Sequence, residues 1–174
     1  MSPAGSDRTP PGPPAGARVV PGIALLDVPA FEPGIVVRTR RRTLTEGDFA
    51  MLINASWEDH PMHTDALYAA EQKVGRRVLG GPCLLAVAAG LSTETLYAMW
   101  GRAGLECVTA LGIDTLRYWS PVFPDDTVQL EMHVAALEPT PGGSALVCLL
   151  RDRVLKQGDE VCMTMERRYL LRRA

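Results

Sequence analysis

The sequence predicts an α+β domain in which a curved antiparallel sheet wraps around one long apolar helix. Three observations predict it. Residues 82–91 are Leu, Ala, Val, Cys and Gly after an opening Pro, apolar on nearly every side, and such a helix has to be covered by other structure. Beyond residue 105 the chain divides into four strand-like runs, 106–119, 127–137, 144–154 and 160–171, separated by the Pro, Gly and Asp that hairpins require. The chain has 174 residues, 47% apolar and 22% charged, enough for one real core and too few for two.

The elements follow in order. Residues 1–17, rich in Pro, Gly, Ala and Ser, bury too little to offset the entropy of ordering and are expected to form a flexible tail ahead of a domain spanning 18–174. Residues 18–33 form a turn-punctuated lead-in, with Ile23, Ala24, Leu25 and Leu26 expected to dock on the body. Residues 34–42 read as a strand, β-branched at Ile35, Val36, Val37 and Thr39. Thr45 with Asp48 three residues on marks a helix start, and Phe49, Leu52 and Ile53 form its apolar stripe. Pro61 breaks any helix through the loop that follows, and a short helix over 65–72, capped by Asp65, leads to the long helix from about Pro82. In the second strand run Val128, Leu130, Met132 and Val134 alternate with Gln129, Glu131 and His133, which places His133 on the solvent side. This order of a strand, helices, then four antiparallel strands describes a hotdog fold. Its edge strands predict a homodimer.

Composition narrows the function classes. A net charge of −2 gives no general attraction to nucleic acid or membrane, and the basic runs 38–42, 167–168 and 172–173 read as solvated strand faces. Cys83, Cys107, Cys148 and Cys162 are scattered through apolar segments, as reduced packing residues are. No signal segment opens the chain and no apolar run is read as reaching transmembrane length, so a cytoplasmic protein is expected.

Chemistry concentrates in Trp57-Glu58-Asp59-His60-Pro61-Met62-His63-Thr64-Asp65, which crowds two of three histidines and three carboxylates into nine residues. A titratable loop set against the glycine-headed helix Gly80-Gly81-Pro82 is one way to build a small active site, because a helix N-terminus offers unpaired N–H groups to developing negative charge. No metal is expected, since a His-Pro-x-His loop matches no strong zinc spacing.

Here the sequence resembles the MaoC-like hydratases and dehydratases, which include the R-specific enoyl-CoA hydratases. Their loop, Asp-x-Asn-Pro-x-His-x-Asp, aligns without a gap on Glu58 to Asp65. Their His-Gly helix opening falls on Gly80-Gly81, and their Pro-Val-Phe-x-Gly-Asp segment is echoed by Pro121-Val122-Phe123-Pro124-Asp125-Asp126. The resemblance implies a lyase that adds or removes water at the α,β position of an acyl thioester carried on coenzyme A or an acyl carrier protein. No cofactor is implied beyond the coenzyme A or phosphopantetheine of the substrate. Carried over, the catalytic imidazole is His63 and the carboxylate Glu58, with neighbouring Asp59 as the alternative. Gly81 supplies the oxyanion N–H, and His60, Gly80, Trp57 and Ala89 belong to the substrate pocket. Four positions depart from the family: Glu58 for Asp, His60 for Asn, Gly80 for His and Ala89 for a frequent Ser. These departures keep three other readings open: a thioesterase on the same fold, a protein repurposed for cyclisation or isomerisation, and a non-catalytic acyl-binding protein.

Overall fold

A computed structural model describes residues 9–21 and 28–174. The expected docking of Ile23 to Leu26 and the first eight residues of the tail lie outside these. Residues 11–14 line a hollow of about 510 Å³ on the outer face of the sheet, beside His133 and Thr115.

The sheet has seven strands in the order β1-β2-β5-β6-β7-β4, with β3 also on β5. They are β1 (Val19–Pro21), β2 (Val36–Arg38), β3 (Arg42–Thr43), β4 (Leu105–Tyr118), β5 (Thr127–Pro139), β6 (Leu146–Lys156) and β7 (Val161–Arg173). All pairings are antiparallel except that of β1 with β2. The predicted strand over 34–42 is thus divided in two. Between its halves the Thr39 side chain, fully buried, accepts from the Leu130 N–H, so a hydroxyl interrupts the backbone ladder.

Helix α1 (Glu46–Ser56) opens with a complete capping box, in which Thr45 and Asp48 each accept from the other's backbone N–H. These bonds, with Arg42 beside them, hold the Asp48 carboxyl down at about 2. Phe49 and Ile53 fill the core from its inner stripe. Two short helices follow, α2 (Pro61–Thr64) and α3 (Ala66–Glu71), and then the long α4 (Gly81–Arg102). Helix α4 lays Leu84, Ala88, Leu96, Met99 and Trp100 on the sheet's inner face, where they meet Leu130, Met132, Leu150 and Met163.

Two expectations change. Helix α4 is long and apolar enough, by length and composition, to cross a membrane, and it serves here as the core helix. It is also less enclosed than its sequence suggests, because the sheet covers one side and leaves Ala86, Ala89 and Tyr97 exposed.

Candidate active site

Helix α1 ends at Trp57, whose left-handed backbone (φ 60°) turns the chain sharply, an uncommon conformation for a bulky residue. Trp57 is 88% exposed, standing away from the pocket assigned to it. The next residue, Glu58, turns inward, and Asp59 stays exposed. Pro61 does more than break a helix: it begins α2 at the first-turn position, and His60 caps it by accepting from the Met62 N–H at 3.1 Å. His60 is therefore tied up in its own loop. Asp65 caps α3 by accepting from the Leu67 and Tyr68 N–H groups.

His63, on α2, faces Glu58 across a gap of 3.7 Å between Nε2 and Oε2, with side-chain exposures of 16% and 29%. That separation is too long for a good direct hydrogen bond, and a water seated to one side of it reaches both atoms. The other ring nitrogen, Nδ1, lies 2.8 Å from the Val78 carbonyl. A carbonyl only accepts, so Nδ1 carries a proton, and Nε2 is the ring atom turned toward Glu58. The connector that supplies Val78 is pinned in turn, since the Leu79 N–H donates to the Val122 carbonyl at 2.8 Å. The turn after Val122 is held by Asp126, which accepts from the Phe123 N–H and from Gln157. The Pro121-to-Asp126 segment thus acts as an anchor for the strip of chain that orients His63.

Gly80 and Gly81 begin α4, and no side chain caps it. A Cβ built on Gly80 would overlap Glu58 Oε2 and lie 3.1 Å from Cδ. The longer carboxylate therefore extends into room that exists only because residue 80 is a glycine. A Cβ on Gly81 would lie 2.6 to 2.9 Å from the Tyr118 ring and hydroxyl. Tyr118, at the end of β4, leans on the head of the helix, and burial, followed by the charge of Glu58, raises its phenol above the ordinary value. The hydroxyl is thus a donor at neutral pH. Glu58, Gly81, Tyr118 and Trp119 line one open cleft of about 480 Å³.

The chain belongs to the MaoC-like domain family, whose pattern matches residues 30–140, more than half of its length. The Protein MaoC of Klebsiella aerogenes is 37% identical over 103 residues, 59% of this chain. This chain spans only 28% of that relative. Among solved structures, the monoamine oxidase regulatory protein of Archaeoglobus superposes with a TM-score of 0.72 at 21% identity, covering 89% of this chain and 97% of that one. The (R)-hydratase from A. caviae does so with a TM-score of 0.64 at 24% identity, covering 82% and 97%. The HadBC 3R-hydroxyacyl-ACP dehydratase complex of Mycobacterium tuberculosis gives 0.65 at 14%, covering 79% and 96%. These likenesses establish the hotdog fold.

Sequence reasoning grouped Glu58, His63 and Gly81; Glu58 faces His63 and lines the open cleft with Gly81, and His63 does not itself line that cleft. Ala89 lies further along α4 on its exposed flank, lining a separate cleft. Two residues that line these clefts were missed. Tyr118 carries no local signal, being one aromatic at the end of a strand. Arg167, read as part of a solvated basic run, is buried. Its neighbours Arg168 and Arg172 do stay outside, paired with Asp114 and Glu106. Strand parity was the available signal: Arg167 alternates in phase with Met163, Met165 and Leu171, all inward.

Proposed function

We propose that this protein is a hydratase or dehydratase of an α,β-unsaturated or β-hydroxyacyl thioester, carried on coenzyme A or an acyl carrier protein. The observation that supports this reading best is the 3.7 Å gap between His63 Nε2 and Glu58 Oε2 beside the uncapped head of α4. A water seated beside that gap donates one hydrogen bond to each group. As its oxygen bonds to the β-carbon, the alkene π pair moves toward the thioester carbonyl, and one water proton passes to the carboxylate or the imidazole. The same pair then returns a proton to the α-carbon. One carbon–oxygen and one carbon–hydrogen bond form, and no proton is left over. The enolate oxygen that develops on the way is held by the Gly81 N–H, with the helix dipole behind it; a fixed donor of this kind contributes on the order of 3 kcal/mol. Dehydration runs the same steps in reverse.

The test is loss of enoyl absorbance on mixing the protein with short and medium trans-2-enoyl thioesters, with released thiol followed in parallel. Hydration without thiol release is the expected result. Thiol release without loss of the alkene supports the thioesterase instead.

Tyr118 serves as a second donor to the same oxygen in this reading. Tyr118→Phe keeps the ring on Gly81 and removes only the hydroxyl. Turnover is expected to fall about tenfold at nearly unchanged KM, the worth of roughly one hydrogen bond. A raised KM with unaltered kcat would make Tyr118 a packing residue only.

The working unit in this reading is a homodimer. Strand β4 is a 14-residue edge, and Val108, Leu111, Ile113 and Tyr118 are among its exposed apolar side chains. A long apolar edge left open invites pairing with a second copy. Light scattering on the purified protein is expected to return twice the chain mass, and Leu111→Lys to shift it toward the single-chain mass.

A further inference from the structure

Val78, Leu79, Pro121 and Val122 form an apolar wall of the cleft at Gly81. The two strips of chain that supply this wall are tied together, the Leu79 N–H donating to the Val122 carbonyl at 2.8 Å. Beyond the wall both strips come out to solvent: Leu79 is 7% and Val122 2% exposed, whereas Phe123 is partly buried and Arg76 exposed. There the guanidinium carbon of Arg76 lies 3.7 Å from the centre of the Phe123 ring, close enough for face-on contact. The chain under the ring is itself fixed, because the Phe123 N–H donates to Asp126 Oδ2 at 2.9 Å.

Arg77 and Lys156, the cations beside this contact, are already engaged. Arg77 reaches both oxygens of Glu46 at 2.6 Å. Lys156, with Nζ 5.5 Å from the same ring centre, donates to the Pro121 carbonyl and pairs with Glu160 at 3.1 Å. Asp126 is engaged as well, by the Phe123 N–H and by Gln157. Arg76 has the aromatic contact, and among the described residues no hydrogen bond or ion pair takes up its N–H groups. A guanidinium laid on a ring is ordered before any ligand arrives and keeps its N–H edge free. That edge matches two oxygens of a phosphate. The spacing fits a carrier that leaves the cleft along this wall. Arg76 is five residues from Gly81, so their Cα atoms are at most about 18 Å apart. A pantetheine arm runs about thirteen bonds from sulfur to phosphorus, the length of roughly four extended residues, or about 15 Å.

We infer that Arg76, held on Phe123, binds the phosphate that ends the pantetheine arm, and so selects thioesters whose carrier supplies one. The inference rests on the acyl-thioester reading above, which leaves the carrier's contacts unassigned. Coenzyme A and an acyl carrier protein have this phosphate in common.

The test is steady-state hydration by the full chain of one enoyl group on four carriers: pantetheine, phosphopantetheine, coenzyme A and an acyl carrier protein. kcat/KM is expected to be about tenfold higher on phosphopantetheine than on pantetheine, through KM with kcat unchanged, the equivalent of one exposed charge-assisted contact. Arg76→Gln is expected to remove that advantage and to lower kcat/KM on coenzyme A and on the carrier protein by the same factor. It leaves the pantetheine thioester unaffected, which shows at the same time that the variant is folded. Phe123→Leu, which frees the guanidinium, is expected to lose about threefold of the advantage. The proposal is overturned if the wild-type protein turns over the pantetheine and phosphopantetheine thioesters alike, or if Arg76→Gln slows all four equally. A loss confined to coenzyme A would place the cation on the nucleotide phosphates, and one confined to the carrier protein would place it on that protein's surface; either overturns the proposal. Any of these results with hydration intact defeats this inference alone. Hydration on none of the four carriers defeats the thioester reading along with it.

Discussion

Glu58→Gln and His63→Asn are each expected to lower kcat for enoyl thioester hydration by about two to four orders of magnitude. KM is expected to change little, because neither group holds the acyl chain or its carrier in this account. Both side chains are partly exposed, so the loss is not one of folding, and circular dichroism melts of the two variants are expected to stay close to the wild type. The double variant is the more searching measurement. If both groups hold the same water, removing the second after the first costs little more, and the double loss is close to the larger single one. If the losses multiply, the two side chains act on different steps and the shared-water arrangement is wrong. The tautomer adds a further constraint. The Val78 carbonyl fixes the proton on Nδ1, so a proton taken up by His63 goes to Nε2, the atom that faces Glu58.

Gly80→Ala is the second large effect, and it reaches the chemistry through a single contact. The added Cβ overlaps Glu58 Oε2 and stands 3.6 Å from Cys83 Sγ. The obstacle is the tip of a flexible side chain, so the fold is expected to survive while the carboxylate is pushed away from His63. A displacement of about an ångström in a catalytic group costs on the order of a hundredfold in rate. Glu58→Asp alone is also harmful, because one methylene less leaves the carboxylate short of the gap. In the Gly80→Ala background the shorter side chain withdraws from the clash, and the double variant is expected to recover at least tenfold over Gly80→Ala. A change that harms in one background and helps in the other is a direct signature of coupling. Losses that simply add would show that Glu58 and Gly80 do not share this space.

This pair also illustrates what the sequence could and could not reveal. Against the family pattern, Glu58 and Gly80 read as two separate departures that left other reactions open. In space they are one exchange: the residue that lost its side chain makes room for the one that gained a methylene. Nothing local to either position encodes that, because they are brought together only by the turn at Trp57 and the start of α4. The strands from β4 onward were legible because alternation and turn residues are short-range signals, and Thr45 with Asp48 marked the start of α1 for the same reason. The break between β2 and β3 was hidden, since it depends on the Thr39 hydroxyl meeting a strand more than ninety residues away. Arg167 was misread because its charge was weighed ahead of its place in the alternation of β7.

The central claim is that Glu58 and His63 together direct a water at the β-carbon of an acyl thioester. Turnover of an enoyl thioester in heavy-oxygen, deuterated water, followed by mass spectrometry of the product, tests it most directly. The account predicts label from water oxygen at the β-carbon and one deuterium at the α-carbon, with the thioester intact and both labels lost together in Glu58→Gln. Label found instead in the carboxylate of a released free acid, with the alkene untouched, would contradict it.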